Sequence, residues 1–221
     1  MIVAIDGPAA SGKSTTAKMV AKKLKMTYLD TGAMYRAVTL ALLRSNTDLD
    51  DYDSVCQVVD ELELDIYDQG SKTIVRLDGE DVSQEIRSMP ATKNVSAVSA
   101  LKYVREAMVE IQRNIGKKTN CVVEGRDIGT IVFPDAKFKI FMVADVKMRA
   151  KRRLKELHDM GENRSIQEVM ADLKKRDEKD STRSHSPLQK ADKAIEIDTS
   201  MLSIDQQVGK IINLVREKNN I

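Results

Sequence analysis

The sequence predicts an α/β fold: a doubly wound, five-stranded parallel sheet with helices on both faces, carrying a small inserted lobe of antiparallel strands and a helical lid. Three observations predict it. Short apolar runs alternate with stretches of helical period, a glycine-rich loop joins the first such run to the first helix, and one internal segment switches to period-two alternation.

Residues 2–5 form an unbroken apolar run, as a strand buried on both faces requires, and a helical stretch over about 13–25 follows. Tyr28-Leu29 reads as a second strand, and residues 31–44 as a helix capped by Asp30 or Thr31. Over about 62–82 the pattern alternates. Leu62, Leu64 and Ile66 precede Gln69-Gly70-Ser71, and Val75 and Leu77 precede Asp78-Gly79, so turn residues separate what read as antiparallel strands. A parallel βα framework does not take in such a piece. Residues 63–100, including short helices through Ala100, are therefore expected as an inserted lobe, with 1–62 and 101–221 as the core. Helical period resumes over 101–115, ahead of a buried strand at Cys121-Val122-Val123 and another at Ile140-Phe141-Met142-Val143. Two charged helices at 147–160 and 165–179, broken at Gly161-Glu162-Asn163 and followed by a polar stretch ending at Pro187, predict a lid over about 147–187. A strand at 194–197 and an amphipathic helix over 204–218 close the chain.

Composition narrows the function. The 221 residues suffice for one sizeable core and a small second lobe. Charged residues, at 32%, exceed the usual level of roughly 25%, which suits solvated helix surface. Lys+Arg 36 against Asp+Glu 34 leaves a net charge of +2, so no bulk field draws nucleic acid, and any cationic site is local. With aromatics at 4% and no Trp, no stacking platform for single strands is expected either. Cys56 and Cys121 stand far apart and read as reduced, buried thiols. The opening apolar run is too short for a secretory signal, and no run approaches the roughly 18 residues of a spanning helix. The expectation is a soluble, cytoplasmic monomer without membrane or nucleic-acid partners.

Gly7-Pro8-Ala9-Ala10-Ser11-Gly12-Lys13-Ser14 matches G-x-x-x-x-G-K-[ST], the phosphate-binding P-loop. Its context fits the chemistry, because consecutive backbone N–H groups and a helix N-terminus must converge on one anion-sized hollow. Gly7 and Gly12 permit the turn; Lys13 can reach β and γ phosphates, and the Ser14 hydroxyl can ligate Mg²⁺, with Thr15 continuing the nucleotide contacts. Asp-x-x-Gly, Asn-Lys-x-Asp and Leu-Ser-Gly-Gly are all missing from the chain, which removes the γ-phosphate sensor and base reader of a GTPase switch and the signature of a transporter ATPase. A small-molecule kinase remains. Such an enzyme must bring two anions together with fixed cations, and two strand-end segments supply arginine: Asp30-Thr31-Gly32-Ala33-Met34-Tyr35-Arg36 and Glu124-Gly125-Arg126-Asp127. At each, an ordinary helix cap with a solvated arginine is the competing reading.

These segments, together with Ile5-Asp6-Gly7-Pro8, Gly79-Glu80-Asp81-Val82, Ile86-Arg87, Gly125-Arg126-Asp127-Ile128-Gly129-Thr130-Ile131-Val132-Phe133-Pro134-Asp135 and Lys175-Arg176-Asp177, resemble the bacterial cytidylate kinases over nearly the whole length. The resemblance implies transfer of the γ-phosphoryl group of ATP to CMP or dCMP with Mg²⁺, and an inserted lobe that binds the nucleoside monophosphate. It further implies that Arg36 and Arg126 hold the CMP phosphate beside Thr31, that Ser96, Arg105 and Asp127 read cytosine, and that Arg176 and Asp180 meet the ribose with Arg183 alongside. Arg149, Arg152 and Arg153 fall on one face of the first lid helix, and Arg152 and Arg153 join Lys13 and Arg126 as the expected catalytic cations. Thr31 stands where many members carry serine and keeps the hydroxyl. His158 and His185 lie in polar surroundings and are expected at the surface. Kinases of another small acceptor (UMP, dTMP or shikimate), or a regulatory nucleotide switch, are the alternatives left open.

Overall fold

The computed structural model describes residues 1–69, 72–159 and 161–217. The expected turn residues Gly70 and Ser71, and the helix ends expected at Met160 and Lys218, lie outside them. The elements follow in the order β1 (Ile2–Asp6), α1 (Lys13–Leu24), β2 (Thr27–Asp30), α2 (Thr31–Arg44), α3 (Tyr52–Glu61), β3 (Leu64–Gln69), β4 (Lys72–Leu77), β5 (Glu80–Asp81), α4 (Met89–Val98), α5 (Lys102–Lys118), β6 (Cys121–Gly125), β7 (Phe138–Val143), α6 (Val146–Asp159), α7 (Ile166–Thr182), β8 (Ile195–Asp198) and α8 (Ile204–Glu217). A 3₁₀ turn at Glu85–Arg87 precedes α4, and a π-helical turn at Ile128–Val132 lies between β6 and β7.

The parallel sheet runs β2-β6-β1-β7-β8. Its central strand β1 pairs in parallel with β6, from Ile2 opposite Cys121 to Asp6 opposite Gly125, and with β7 on the other side. Both strands are buried along nearly their whole length, as strands of a parallel sheet with helices over each face are, which is why β1 and β6 read as continuous apolar runs. Because β1 and β6 end in register, the two turns that follow them leave the same edge of the sheet, where open α/β folds place ligands.

The chain divides into two compact units, Met1–Tyr28 with Asn120–Ile221, and Leu29–Thr119. The second unit is wider than the lobe expected over 63–100, since it also takes in α2, α3 and α5. In the first unit, Ala17, Val20 and Ala21 of α1 and Val208, Ile211 and Val215 of α8 pack with Val3, Ile5, Ile140, Met142 and Ile197. A separate cluster joins Ala150 and Leu157 of α6 and Val169 and Leu173 of α7 to Ala9 in the loop after β1. The lid helices are thus seated on that loop. In the second unit, β3, β4 and β5 form an antiparallel sheet whose Val75 and Leu77, with Val82 and Ile86, pack against Ala33, Ala37 and Leu40 of α2. Asp78 and Gly79 both take positive φ, 52° and 82°, as the hairpin turn between β4 and β5 demands. Helix α3 was not anticipated from sequence: it buries only Val55 and Val59, one i,i+4 pair, too brief a signal to stand out.

Ile211 is fully buried between α8, α1 and the sheet. Ile211→Ala is expected to lower the unfolding free energy by about 2–5 kcal/mol without altering the fold, measurable by urea denaturation.

Candidate active site

The site begins with a steric constraint. Gly7 has φ 148°, and a Cβ there would run into the carbonyl oxygen of Met142 on β7. Only glycine lets the chain turn back so close to the neighbouring strand. Pro8, Ala9 and Ala10 carry the loop round, Ala10 in the left-handed region at φ 58°, and Gly12, at φ 92°, turns it into α1. From the far end of the chain, Thr199 donates its hydroxyl to the Ser11 carbonyl at 2.8 Å, and Gln207 accepts from the Thr16 hydroxyl at 2.7 Å. Neither supporting residue carries a motif.

Lys13 opens α1 with its ammonium folded back on the Pro8 carbonyl at 2.7 Å and the Ser11 hydroxyl at 3.4 Å. It is almost fully buried. Burial, reinforced by the positive charge of Arg126 and, more weakly, of Arg176, pulls its pKa from 10.5 down to about 7, against the opposing pull of Glu124 and Asp6. Three cations therefore act on one spot beside a loop of backbone amides, a field that a polyphosphate would satisfy.

Ser14 and Thr15 are exposed at the start of α1. The Ser14 hydroxyl donates to Glu124 at 2.9 Å, and the buried Tyr28 phenol donates to the other oxygen of the same carboxylate. Glu124 was given no role in the sequence reading, although its place was legible: an acidic residue at the end of the strand beside the loop strand. A hydroxyl and a carboxylate at hydrogen-bond distance are hard oxygen donors suited to Mg²⁺, an ion that keeps several waters and takes phosphate oxygens for the rest. Among the described residues no cluster of three His, Cys, Asp or Glu offers a cage for a softer metal.

The turn after β6 carries Arg126 and Asp127. Arg126 Nε donates to Asp180 of α7 at 3.0 Å. Burial alone would raise the Asp180 pKa, but Arg126, Arg176 and Arg183 together hold it below the usual carboxylate value. Asp127 is buried with Arg183 at 4.0 Å, and Arg183 Nε donates to the Ser186 carbonyl at 2.6 Å. Arg126, singled out at its strand end, and Asp127, Arg176, Asp180 and Arg183, whose roles the resemblance implied, thus form one charge-compensated group in the first unit.

The lid arginines part company. Arg149 is buried and occupied: it donates to the carbonyls of Ala9 and Ala144 at 3.2 and 3.1 Å and pairs with Asp177 at 2.7 Å. These contacts tie the lid helix to the loop. Arg152 grips Thr199, and a Cβ on Gly12 would come within 3.6 Å of its Nη1, so it lies beside the loop. Arg153 pairs instead with Glu156 in its own helix. His158 and His185 are exposed. Cys121 is buried, whereas Cys56 is only half-buried, and neither is joined in a disulfide.

In the second unit, Asp30 caps α2 by accepting from Ala33 N at 2.9 Å and pairs with Arg36 at 3.3 Å. Arg36 lies over Gly32, where a Cβ would stand 3.2 Å from its Nη1, so its guanidinium covers the first turn of α2 beside Thr31. Arg105 is buried, donates to the Ser99 carbonyl at 3.0 Å and sits 5.3 Å from the centre of the Tyr35 ring. Ser96, on α4, has a buried hydroxyl with no hydrogen-bond partner.

A family model described as cytidylate kinase matches residues 3–217. This chain belongs to the cytidylate kinase family. The cytidylate kinase of Fusobacterium nucleatum is 48% identical over 218 residues, covering 99% of this chain and 96% of its own. That of Lactobacillus johnsonii is 46% identical over 218 residues, covering 99% and 95%. A crystal structure of an uncharacterized protein from Eubacterium ventriosum, 15% identical over 98% of each chain with a TM-score of 0.54, shares the fold. Among the described residues of this cytidylate kinase family member, no helix is long and apolar enough to cross a membrane.

The depressed Lys13 pKa has a measurable consequence. Between about pH 7 and 10.5 the unfolded chain holds a proton on this lysine that the folded one has released, so folding becomes more favourable as pH rises through that window. Stability measured against pH by denaturant melts is expected to climb more steeply there for the nucleotide-free wild type than for Lys13→Met.

Proposed function

We propose that this protein transfers the γ-phosphoryl group of ATP to CMP or dCMP, giving ADP and the pyrimidine diphosphate. The observation that carries the reading is the glycine-turned loop of residues 7–14 with Lys13 buried against the Pro8 carbonyl, in a chain matched to the cytidylate kinase family over nearly its full length. The positive charges of Arg126 and Arg176 acting on the buried Lys13 raise the energy of the empty site relative to one that holds an anion.

The loop of residues 7–14, with Thr15, holds the ATP phosphates through its amides, and Lys13 lies against them. Ser14 and Glu124 would hold Mg²⁺, with Tyr28 fixing which Glu124 oxygen faces Ser14. When bound, the ion neutralises charge on the β and γ phosphates. Arg36 and Arg126 bind the CMP phosphate, with Thr31 beside Arg36. Arg152 and Arg153 balance charge from the lid, residues 147–187, and Arg152 starts nearer the loop. The attacking phosphate oxygen is already anionic at neutral pH, so alignment and charge neutralisation suffice without a general base.

Specificity follows from hydrogen-bond chemistry. Cytosine offers an amino donor beside N3, whereas uracil offers a carbonyl beside an N–H. If Asp127 accepts from the amino group while Arg105 and Ser96 meet the remaining edge, uracil would set acceptor against acceptor at a cost of about 1–3 kcal/mol per pair. The partnerless Ser96 hydroxyl supports such a role. Arg176, Asp180 and Arg183 take the ribose.

An acceptor panel of CMP, dCMP, UMP, dTMP and shikimate in a coupled ADP-release assay is expected to favour CMP and dCMP strongly; equal rates across the panel would remove the assignment. Arg126→Ala is expected to raise the CMP KM by about tenfold or more while leaving that for ATP nearly unchanged, since a charge-assisted pair to one substrate is lost. Equal weakening of both substrates would contradict its place on the acceptor.

A further inference from the structure

Asp6 is the last residue of β1 and is buried, yet nothing in the reaction above uses it. Its two carboxylate oxygens accept from the backbone N–H groups of Ile128 and Gly129, each at 2.8 Å. Those donors open the π-helical turn Ile128–Val132, where they have no partner within the turn itself. Asp6 is followed directly by Gly7 of the phosphate loop, and Ile128 is preceded directly by Arg126 and Asp127. One side chain therefore joins the segment that receives the donor nucleotide to the segment assigned to the acceptor.

The join is made at a cost. Burial raises the Asp6 pKa to about 6 against the lowering effect of the two N–H bonds, with Asp127 adding to the rise and Lys13 opposing it. A neutral cap would avoid that penalty, but here each N–H meets its own carboxylate oxygen, and an amide or hydroxyl offers only one oxygen. The turn is also closely confined: a Cβ on Gly129 would stand 3.3 Å from Ala191 Cβ and 3.4 Å from both Asp6 Oδ2 and the Lys139 stem. The turn has little room to shift and keep both bonds.

We propose that Asp6 is a positioning residue: through its paired bonds to Ile128 and Gly129 it sets where Arg126 and Asp127 stand relative to the phosphate loop. It touches neither substrate and acts by alignment. The inference rests on the proposed acceptor role of Arg126 and Asp127.

Asp6→Asn tests it. The amide keeps one acceptor but turns an N–H toward the second backbone donor, so the turn is held at one point. A misplacement on the order of 1 Å at the reacting phosphates is worth up to about 100-fold in rate. The expected result is a fall in kcat of about tenfold or more and a raised KM for CMP, with ATP affinity by calorimetry close to wild type and the melting temperature lowered by a few degrees, as an unpaired buried N–H requires. Unchanged kcat and CMP KM would overturn the proposal, as would equal losses for both nucleotides. If wild type makes no CDP, the reaction assignment fails; an active wild type beside an unimpaired Asp6→Asn removes only the role of Asp6. Should the variant not fold, amide NMR of the wild type decides: as pH falls through about 6, the N–H signals of Arg126 and Asp127 are expected to move with those of Ile128 and Gly129. A titration confined to Ile128 and Gly129 would overturn the positioning role.

Discussion

The close approach of Gly7 to the carbonyl of Met142 is the constraint on which the rest of the site depends. It lets the chain leave the centre of a parallel sheet, fold over the neighbouring strand and enter α1 within six residues. A side chain at that point would lift the loop from the sheet, and Lys13, at the first position of α1, would lose its burial. Everything assembled around the loop takes its position from that turn: Thr199 and Gln207 beneath it, Arg149 and the lid cluster on Ala9, Glu124 against Ser14.

Charge is organised about the same point. Asp180 is buried among Arg126, Arg176 and Arg183, so its carboxylate stabilises guanidinium groups that would otherwise repel one another. Lys13 has less complete compensation, and its ammonium is correspondingly disfavoured until an anion arrives. The distinction separates structural from functional charge. Arg149, with three partners and no exposure to speak of, is a bolt between lid and loop, whereas Lys13 is held ready by its own loop's carbonyl.

Helical spacing placed Arg149, Arg152 and Arg153 on one face and could go no further. Spacing fixes direction along a helix; it does not say which side chain meets a neighbouring carbonyl first. Arg149 lies against Ala9 and Ala144, Arg152 meets Thr199, and Arg153 stays with Glu156. Glu124 was within reach of the sequence reading, since it stands in a quoted motif at a strand end. Thr199 was not, because its partner Ser11 is 188 residues away and a lone threonine carries no pattern.

Local chemistry was enough to determine the phosphate loop, the buried strands and the Asp78-Gly79 hairpin, because glycine freedom, apolar runs and turn residues act over a few neighbouring positions. The tertiary structure alone decided that β6 and β7 flank β1, that Asp6 clasps the amides of Ile128 and Gly129, and that Glu124 meets Ser14. Those facts rest on strand order and burial, which depend on how distant segments exclude water together, and no single stretch of chain encodes that by itself.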